Sequence, residues 1–304
     1  MFNRSVYLNS LINQRKSGLI KIITGPRRCG KSYLLNTIFY NDLIDKGFKK
    51  NHIIKFAFDN PNDYELLDKY FPELETKIYI KKDVFIINSK KFRAYIKDQI
   101  KEDGEYILLL DEIQILEDFV ESLNGFLYMD NLDIYVTGSN SYLLSTDIDT
   151  KFGGRGYSIE LFPLTFKEYL EGVSTNKEDS FNSYCKYGGL PLVALMKNSE
   201  EKYRYLKSTS NETYIKDIIT RHGIKNISDL EDIYNILASS IGSKISPTKL
   251  VNSFKSLKGK DITDDTIASY INHFQDSFIA VQILFLYLFF CHWLLLFTAI
   301  LLFT

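Results

Sequence analysis

Leu19-Ile-Lys-Ile-Ile-Thr24, followed by Gly25-Pro-Arg-Arg-Cys-Gly30-Lys31-Ser32, is the stretch that decides the fold. The first six residues are a short apolar, β-branched run that reads as a strand. The next eight fit the spacing G-x-x-x-x-G-K-[ST]. Glycines there let backbone N–H groups of Gly25, Pro26, Arg27, Arg28, Cys29 and Gly30 positions wrap phosphates, proline contributing shape rather than a donor. The phosphates would then sit on the N-terminus of the helix that follows. Lys31 is expected to reach the β- and γ-phosphates and the Ser32 hydroxyl to ligate Mg²⁺. Leu34, Leu35, Ile38 and Leu43 then recur at helical spacing up to Lys46, and Gly47 is suited to the helix end.

About eighty residues downstream, Tyr106-Ile-Leu-Leu-Leu110 delivers Asp111-Glu112 at its C-terminal end. Its unbroken apolar character is that of a central parallel strand. Asp111 there is placed to hold the Mg²⁺ water shell and Glu112 to polarise an attacking water, which points to hydrolysis rather than phosphotransfer to a small acceptor. Strands are also expected at Ile53 to Phe58, near Val84 to Ile87, and at Leu132 to Val136. Helices fall between them, so the pattern implies βαβ crossovers and a parallel sheet. The expected fold class is α/β: a P-loop NTPase three-layer parallel sheet of the additional-strand, AAA-like type, with the acids one strand removed in sequence from the phosphate-loop strand.

Other polar positions leave alternatives open. Ser139 or Asn140, after Val136-Thr137-Gly138, either bonds the γ-phosphate or lytic water, or is a plain turn. Arg155, one of eight arginines, lies in Gly153-Gly-Arg155-Gly156. It either neutralises transition-state charge, in cis or across a subunit boundary, or is a surface-loop arginine. Arg27 and Arg28 either touch phosphate or pair with acids of the lid.

Past residue 165 strand signals fade. Helices are expected at Phe166 to Gly172, Ser180 to Lys197 with a break at Gly188-Gly189-Leu190-Pro191, Glu201 to Arg221, and Ile227 to Ser240. Ser246-Pro247 caps a further one, and Thr263 caps Asp264 to Gln275 with two acids in its first turn. Three short helices with tight joints suggest a helix-turn-helix or winged-helix unit. The division expected is 1–165 ATPase core, 166–227 helical lid, 228–277 winged-helix unit and 278–304 apolar tail.

Lysine and arginine together number 37 against 38 acids, a net charge of −1. No global basic field gathers nucleic acid, so any such binding would be a local patch. The final helix carries Asp264, Asp265, Asn272 and His273 and no Lys or Arg. Its acids oppose phosphate contact, although Lys249, Lys255, Lys258 and Lys260 precede it as a small basic wing. Packing or partner docking is the better reading, with DNA binding open. His222 and His273 read as lone structural or exposed histidines. Cys29, Cys185 and Cys291 match no metal-ligand spacing, and the start has no signal-like apolar run, which suits a cytoplasmic setting.

Every charged residue lies at or before Asp276, and residues 278–304 are almost wholly apolar. As a helix that tail would reach ~40 Å, enough for a ~30 Å hydrocarbon core, yet no basic residue flanks it closely. A frameshifted or truncated product ranks first, a membrane anchor second, and a segment buried in a partner or core third.

Several pieces together resemble a known family. They are Ile20 to Ser32, Leu110-Asp-Glu-Ile-Gln114, Thr137-Gly-Ser-Asn-Ser141, Gly154-Arg155, Leu161-Phe-Pro-Leu-Thr-Phe-Lys-Glu168, Tyr187-Gly-Gly-Leu-Pro191 and Ile241-Gly-Ser243. Spread from Arg4 to Ser277, they resemble the AAA-type bacterial and archaeal ATPases that carry a C-terminal winged helix and usually a restriction-endonuclease-like domain. The resemblance implies ATP and Mg²⁺ binding, Lys31 and Ser32 on phosphates and metal, Asp111 on the metal, Glu112 as base, and a sensor role for Ser139 or Asn140. After Asp276-Ser277-Phe278 the chain departs from that pattern, so an endonuclease-like function is not carried over. The expected activity is Mg²⁺-dependent ATP hydrolysis that switches the helical appendage; the alternative is a nucleotide-gated module, with little turnover, that regulates DNA or a protein partner. Self-association through Arg155 would follow if that arginine acts in trans.

Overall fold

In the computed structural model, residues 2–280 are described, apart from 82, 83, 102, 139–151, 174, 175, 211–214, 216, 217, 220, 221, 241, 242 and 244. Ser139, Asn140 and nearly all of the apolar tail therefore lie outside the described residues. Among the described residues no helix is long and apolar enough to cross a membrane. The chain forms two compact units, residues 1–172 and 173–304.

The first unit is built on a five-stranded sheet. Its strands, in chain order, are β1 (Ile20–Thr24), β2 (Ile53–Ala57), β5 (Tyr106–Asp111), β6 (Leu132–Thr137) and β7 (Gly156–Glu160). Between β2 and β5 the chain adds a separate antiparallel hairpin, β3 (Lys77–Lys81) with β4 (Val84–Ile87). The spatial order of the main sheet is β2-β5-β6-β1-β7, and every neighbouring pair is parallel. One additional strand, β6, thus separates the phosphate-loop strand β1 from the Asp111 strand β5.

Side-chain alternation assigns each strand to two cores. Ile20 and Ile22 of β1, Ile54 and Phe56 of β2, Leu108 and Leu110 of β5, and Ile134 and Val136 of β6 face one side. There they pack on Phe92 and Ile96 of the helix Ser89–Gln99 and on Leu123 and Phe126 of the helix Phe119–Phe126. Ile23, Ile53, Ile107, Leu109 and Tyr135 face the other side. They meet Leu11 of the helix Ser5–Asn13 and Leu34, Leu35, Phe39 and Leu43 of the helical run after the phosphate loop. That run is Lys31–Tyr33, a π-helical segment Leu34–Phe39, and Tyr40–Asp45. Helices on both faces of a parallel sheet make the three-layer α/β architecture.

Three elements of this unit go beyond the sequence reading: the N-terminal helix, β3, and β7. The stretch read as a flexible loop around Gly153 leads straight into β7, an edge strand in which only Ile159 is buried. The second unit is helical wherever it is described. Lys177–Tyr187, Pro191–Leu195 and Ser199–Ser208 come first, then Ile227–Ser239, Pro247–Lys258 and Asp264–Asp276. Ser246 accepts from Lys249 N and Thr263 from Thr266 N, so both expected caps are in place. The last three helices share a core of Leu230, Ile233, Leu237, Leu250, Phe254, Ile267 and Phe274. No strand is present among the described residues of this unit, so the wing of a winged helix is not among them.

Candidate nucleotide site

All site elements come from the C-terminal edge of the parallel sheet, where strand ends and helix starts meet. The phosphate loop leaves β1 with Gly25 at φ +138°, and a Cβ there would lie 2.1 Å from the Leu161 carbonyl oxygen. Leu161 N–H in turn donates to Thr24 O at 2.8 Å, which fixes the strand after β7 against the loop. Only glycine permits this approach. Arg28 and Gly30 also take positive φ, 65° and 103°, so the loop curls before Gly30 caps the helix. Cys29 is wholly buried, its thiol on the Leu161 carbonyl at 3.3 Å, and burial pushes its pKa up. Its side chain therefore packs inward while its backbone belongs to the loop.

Lys31 is buried, and its ammonium donates to the carbonyls of Gly25 and Pro26, both at 2.9 Å. The cation is thus held by its own loop. Ser32 Oγ donates to Asp111 Oδ1 at 3.0 Å, and Asn36 Nδ2 to Asp111 Oδ2 at 3.3 Å. The two motifs, β1-loop and β5, thus meet directly although β6 stands between their strands.

Thr137, the last residue of β6, fills that gap. Its buried hydroxyl donates to Asp111 Oδ1 and accepts the Glu112 N–H at 3.2 Å. Glu112 sits at φ 55°, ψ 49°, a left-handed conformation uncommon outside glycine and often found at functional sites. Its carboxylate accepts from Gln114 Nε2. Asp59, just past β2, is the third carboxyl of this edge.

The electrostatics follow from crowding. Burial raises the Asp111 carboxyl above the ordinary range; hydrogen bonds from Thr137 and Ser32 oppose the rise, and Glu112 and Asp59 add to it. Asp59 is raised by burial first and by Glu112 next, with Arg27 of the phosphate loop pulling the other way. Burial leads both shifts and the neighbouring acids add to them, a surplus of negative charge that a divalent cation would relieve. The nearest donors, Ser32 Oγ and the Asp111 carboxylate, are the hard oxygens magnesium takes. The donor chemistry fits that ion.

Sequence reasoning placed Lys31, Ser32, Asp111 and Glu112, and the structure brings them together. It missed Thr137, Asn36 and Asp59. Thr137 had a signal, a polar residue ending an apolar strand, but attention fell on the next residues, Ser139 and Asn140, which lie outside the described residues. Arg155 is placed at the start of β7 beside the start of β1, and its carbonyl accepts from Ile20 N–H at 2.9 Å. The phosphate loop is at the other end of that five-residue strand, roughly 13–16 Å away at strand rise.

Comparison with known proteins agrees with this geometry. An AAA domain family model matches residues 17–170, and a domain of unknown function matches residues 178–284. An uncharacterized protein of Haemophilus influenzae is 28% identical over 92% of this chain and 66% of its own length. One from Methanocaldococcus jannaschii is 28% identical over 92% of this chain and 58% of its own. The chain thus spans less than two thirds of the length of either relative. Among solved structures, the Aeropyrum pernix ORC2 protein in ADPNP–ADP complexes aligns at 14% identity with a TM-score of 0.48, over 91% of this chain and 85% of that one. The AMPPCP-bound DnaA of Aquifex aeolicus aligns at 15% identity with a TM-score of 0.39, over 90% and 88%. With the AAA model covering half the chain and its glycine loop, strand-end acids and inserted strand all in place, this protein belongs to the AAA domain family of ATPase-like nucleotide-binding modules.

Proposed function

We propose that the first unit binds ATP with Mg²⁺ and hydrolyses it to ADP and phosphate, and that the change of nucleotide state acts on the helical part. The observation that carries the reading is the junction of Ser32 with Asp111, with Glu112 adjacent. Backbone N–H groups of the loop and the start of the Lys31–Asp45 run provide the anion-binding end. Lys31 would exchange its two carbonyl acceptors for phosphate oxygens, a swap that keeps its charge partnered. Mg²⁺, held through Ser32 and Asp111, would supply charge neutralisation at the phosphates. Glu112 would accept the proton of the attacking water, while Thr137 positions both acids from one hydroxyl.

Gln114 donates to one Glu112 carboxylate oxygen and so fixes the direction in which the other oxygen can meet a water. The second reading is a nucleotide-gated module with little turnover. Steady-state turnover on the whole chain, wild type against Glu112→Gln and Lys31→Ala, separates the two. Hydrolysis lost in Glu112→Gln with ATP still bound supports the first. ATP bound without wild-type turnover supports the second. Unchanged Mg–ATP affinity in Lys31→Ala would remove the site assignment itself.

Arg155, exposed and remote from its own loop, acts on nucleotide only if it serves a neighbouring copy. For the helical part, protein docking is favoured over DNA. Lys255, Lys258 and Lys260 pair with Asp261, Asp232 and Asp229 at 2.6, 2.8 and 2.6 Å. Most of the expected basic wing is thereby neutralised within the chain.

A further inference from the structure

The two histidines read as lone in the sequence are neighbours in the fold. The His222 and His273 rings stack at 3.7 Å between centroids with 24° between planes. Asp276 lies three residues beyond His273 on the helix Asp264–Asp276, on the same face. One donor atom from each of His222, His273 and Asp276 falls within 4.8 Å of the other two. Fifty-one residues of sequence separate the two imidazoles, so nothing local brings them together; the three-helix core does. Ile218 on one side and Tyr270 and Phe274 on the other belong to that core and flank the cluster.

We propose that His222, His273 and Asp276 bind a divalent transition ion of the zinc class, clasping the end of the last helix to the segment before Ile227. Two imidazoles and one carboxylate are a donor set that zinc uses, leaving a position for water. The hydrogen bonding of His273 suits it for the role. Ser269 Oγ lies 3.2 Å from Nε2, one turn back on the same helix, and can accept its proton. Nδ1 then keeps its lone pair; in the structure it is buried and has no hydrogen-bond partner among the described residues. A ligating histidine whose other nitrogen is tied to an oxygen is the usual arrangement at metal sites. Tetrahedral zinc donors lie ~3.4 Å apart, given ~2.1 Å bonds, and an imidazole binds in its own plane, so the site forms when one ring turns out of the stack and closes the 4.8 Å spread. All three residues are partly exposed, which leaves an entry path.

The site is independent of the nucleotide chemistry, and its test is spectroscopic. Nucleotide-free whole chain, in excess Mg²⁺, is titrated with Co²⁺ and followed by d–d absorption, then with Zn²⁺ as competitor. One equivalent of Co²⁺ with the intense bands of four-coordination, displaced by Zn²⁺, is expected. Affinity should fall at least ~10-fold in His222→Ala, in His273→Ala and in Asp276→Asn, and stay unchanged in Cys185→Ser. X-ray absorption of the wild-type zinc complex, which needs no variant to fold, should give nitrogen and oxygen neighbours including two imidazoles, without sulfur. Absence of stoichiometric binding, a sulfur ligand, or wild-type affinity in both histidine variants would each overturn the proposal.

Discussion

Thr137→Val is the substitution that tests the site most directly, because it keeps the shape of a fully buried side chain and removes one hydroxyl. That hydroxyl makes two bonds, one donated to the Asp111 carboxylate and one accepted from Glu112 N–H. A hydrogen bond to a charged group contributes about 1.5–3 kcal/mol, and a buried N–H left without a partner costs about 1–3 kcal/mol. After partial relaxation the loss should be roughly 2–4 kcal/mol. For a unit the size of residues 1–172 that corresponds to a fall in Tm of roughly 5–15 °C. Turnover should drop more than stability alone explains, on the order of 10²-fold, since the Glu112 backbone loses the bond that fixes its left-handed turn. The pH dependence should move as well. Thr137 is one of two donors holding the Asp111 pKa down, so its removal shifts the acid limb of Mg²⁺-dependent ATP binding to higher pH. Thr137→Ser keeps the hydroxyl and should retain most of both properties. Calorimetric melting and ATP turnover on the three proteins decide it. If valine melts within about 2 °C of wild type and hydrolyses ATP at the same rate, Thr137 does not organise the acids and the electrostatic account fails.

Three other substitutions probe neighbouring parts of the same logic. Gly25→Ala would put a methyl group against the Leu161 carbonyl, where 2.1 Å separates the atoms; unfolding by urea should show a loss of about 2–4 kcal/mol and nucleotide titration a weakening beyond tenfold. Lys21→Met leaves Asp133 buried with only the Tyr135 hydroxyl, 2.9 Å away, as a side-chain donor; because the ammonium had been its charge partner, stability should fall by about 3–5 kcal/mol while the nucleotide site stays intact. Asp111→Asn should abolish Mg²⁺-dependent binding yet leave the nucleotide-free protein as stable as wild type near neutral pH. The sign follows from burial: the folded pKa lies above the unfolded one, so the carboxyl's contribution to stability is present below the unfolded pKa and lost as pH rises through the folded value. Denaturation midpoints should therefore favour wild type progressively as pH falls towards ~4, and the opposite slope would contradict the assigned environment.

Local chemistry decided which parts of this molecule could be read from the chain alone. β5 was legible because a parallel strand covered on both faces needs an unbroken apolar run, and β1 because its β-branched run, broken only by the buried Lys21, leads into the glycine loop. The loop was legible because its glycines are compelled by backbone geometry, most plainly where Gly25 meets Leu161. β7 was not, because an edge strand with one buried side chain carries no hydrophobic period. The N-terminal helix was hidden for a related reason: among its own nine residues only Leu11 is buried, and it is anchored instead from just before its start, where Arg4 reaches Glu168 at 3.0 Å.

Thr137 and Asn36 lie in or just after quoted motifs, but their partner Asp111 is distant in sequence, so spacing alone does not assign them a role. Lys31 and Ser32 are defined by spacing within eight residues, whereas Thr137, Asn36 and Asp59 act only through Asp111 or beside it, across strand order. That order was itself only half legible, since the sequence implies an additional strand but not that its last hydroxyl spans two acids. The consequence is chemical. Lys31 is bonded to its own loop carbonyls, while Asp111 and Glu112 are bonded to Ser32, Asn36, Thr137 and Gln114. Burial, with the neighbouring acids adding to it, still holds the Asp111 and Asp59 carboxyls above the ordinary range. A lone anion would satisfy Lys31 and worsen that crowding; a lone cation would relieve the crowding and leave the loop N–H groups unused. A ligand that brings a polyphosphate and a divalent cation together would improve both halves at once, the physical ground for proposing Mg–ATP rather than either component as its ligand.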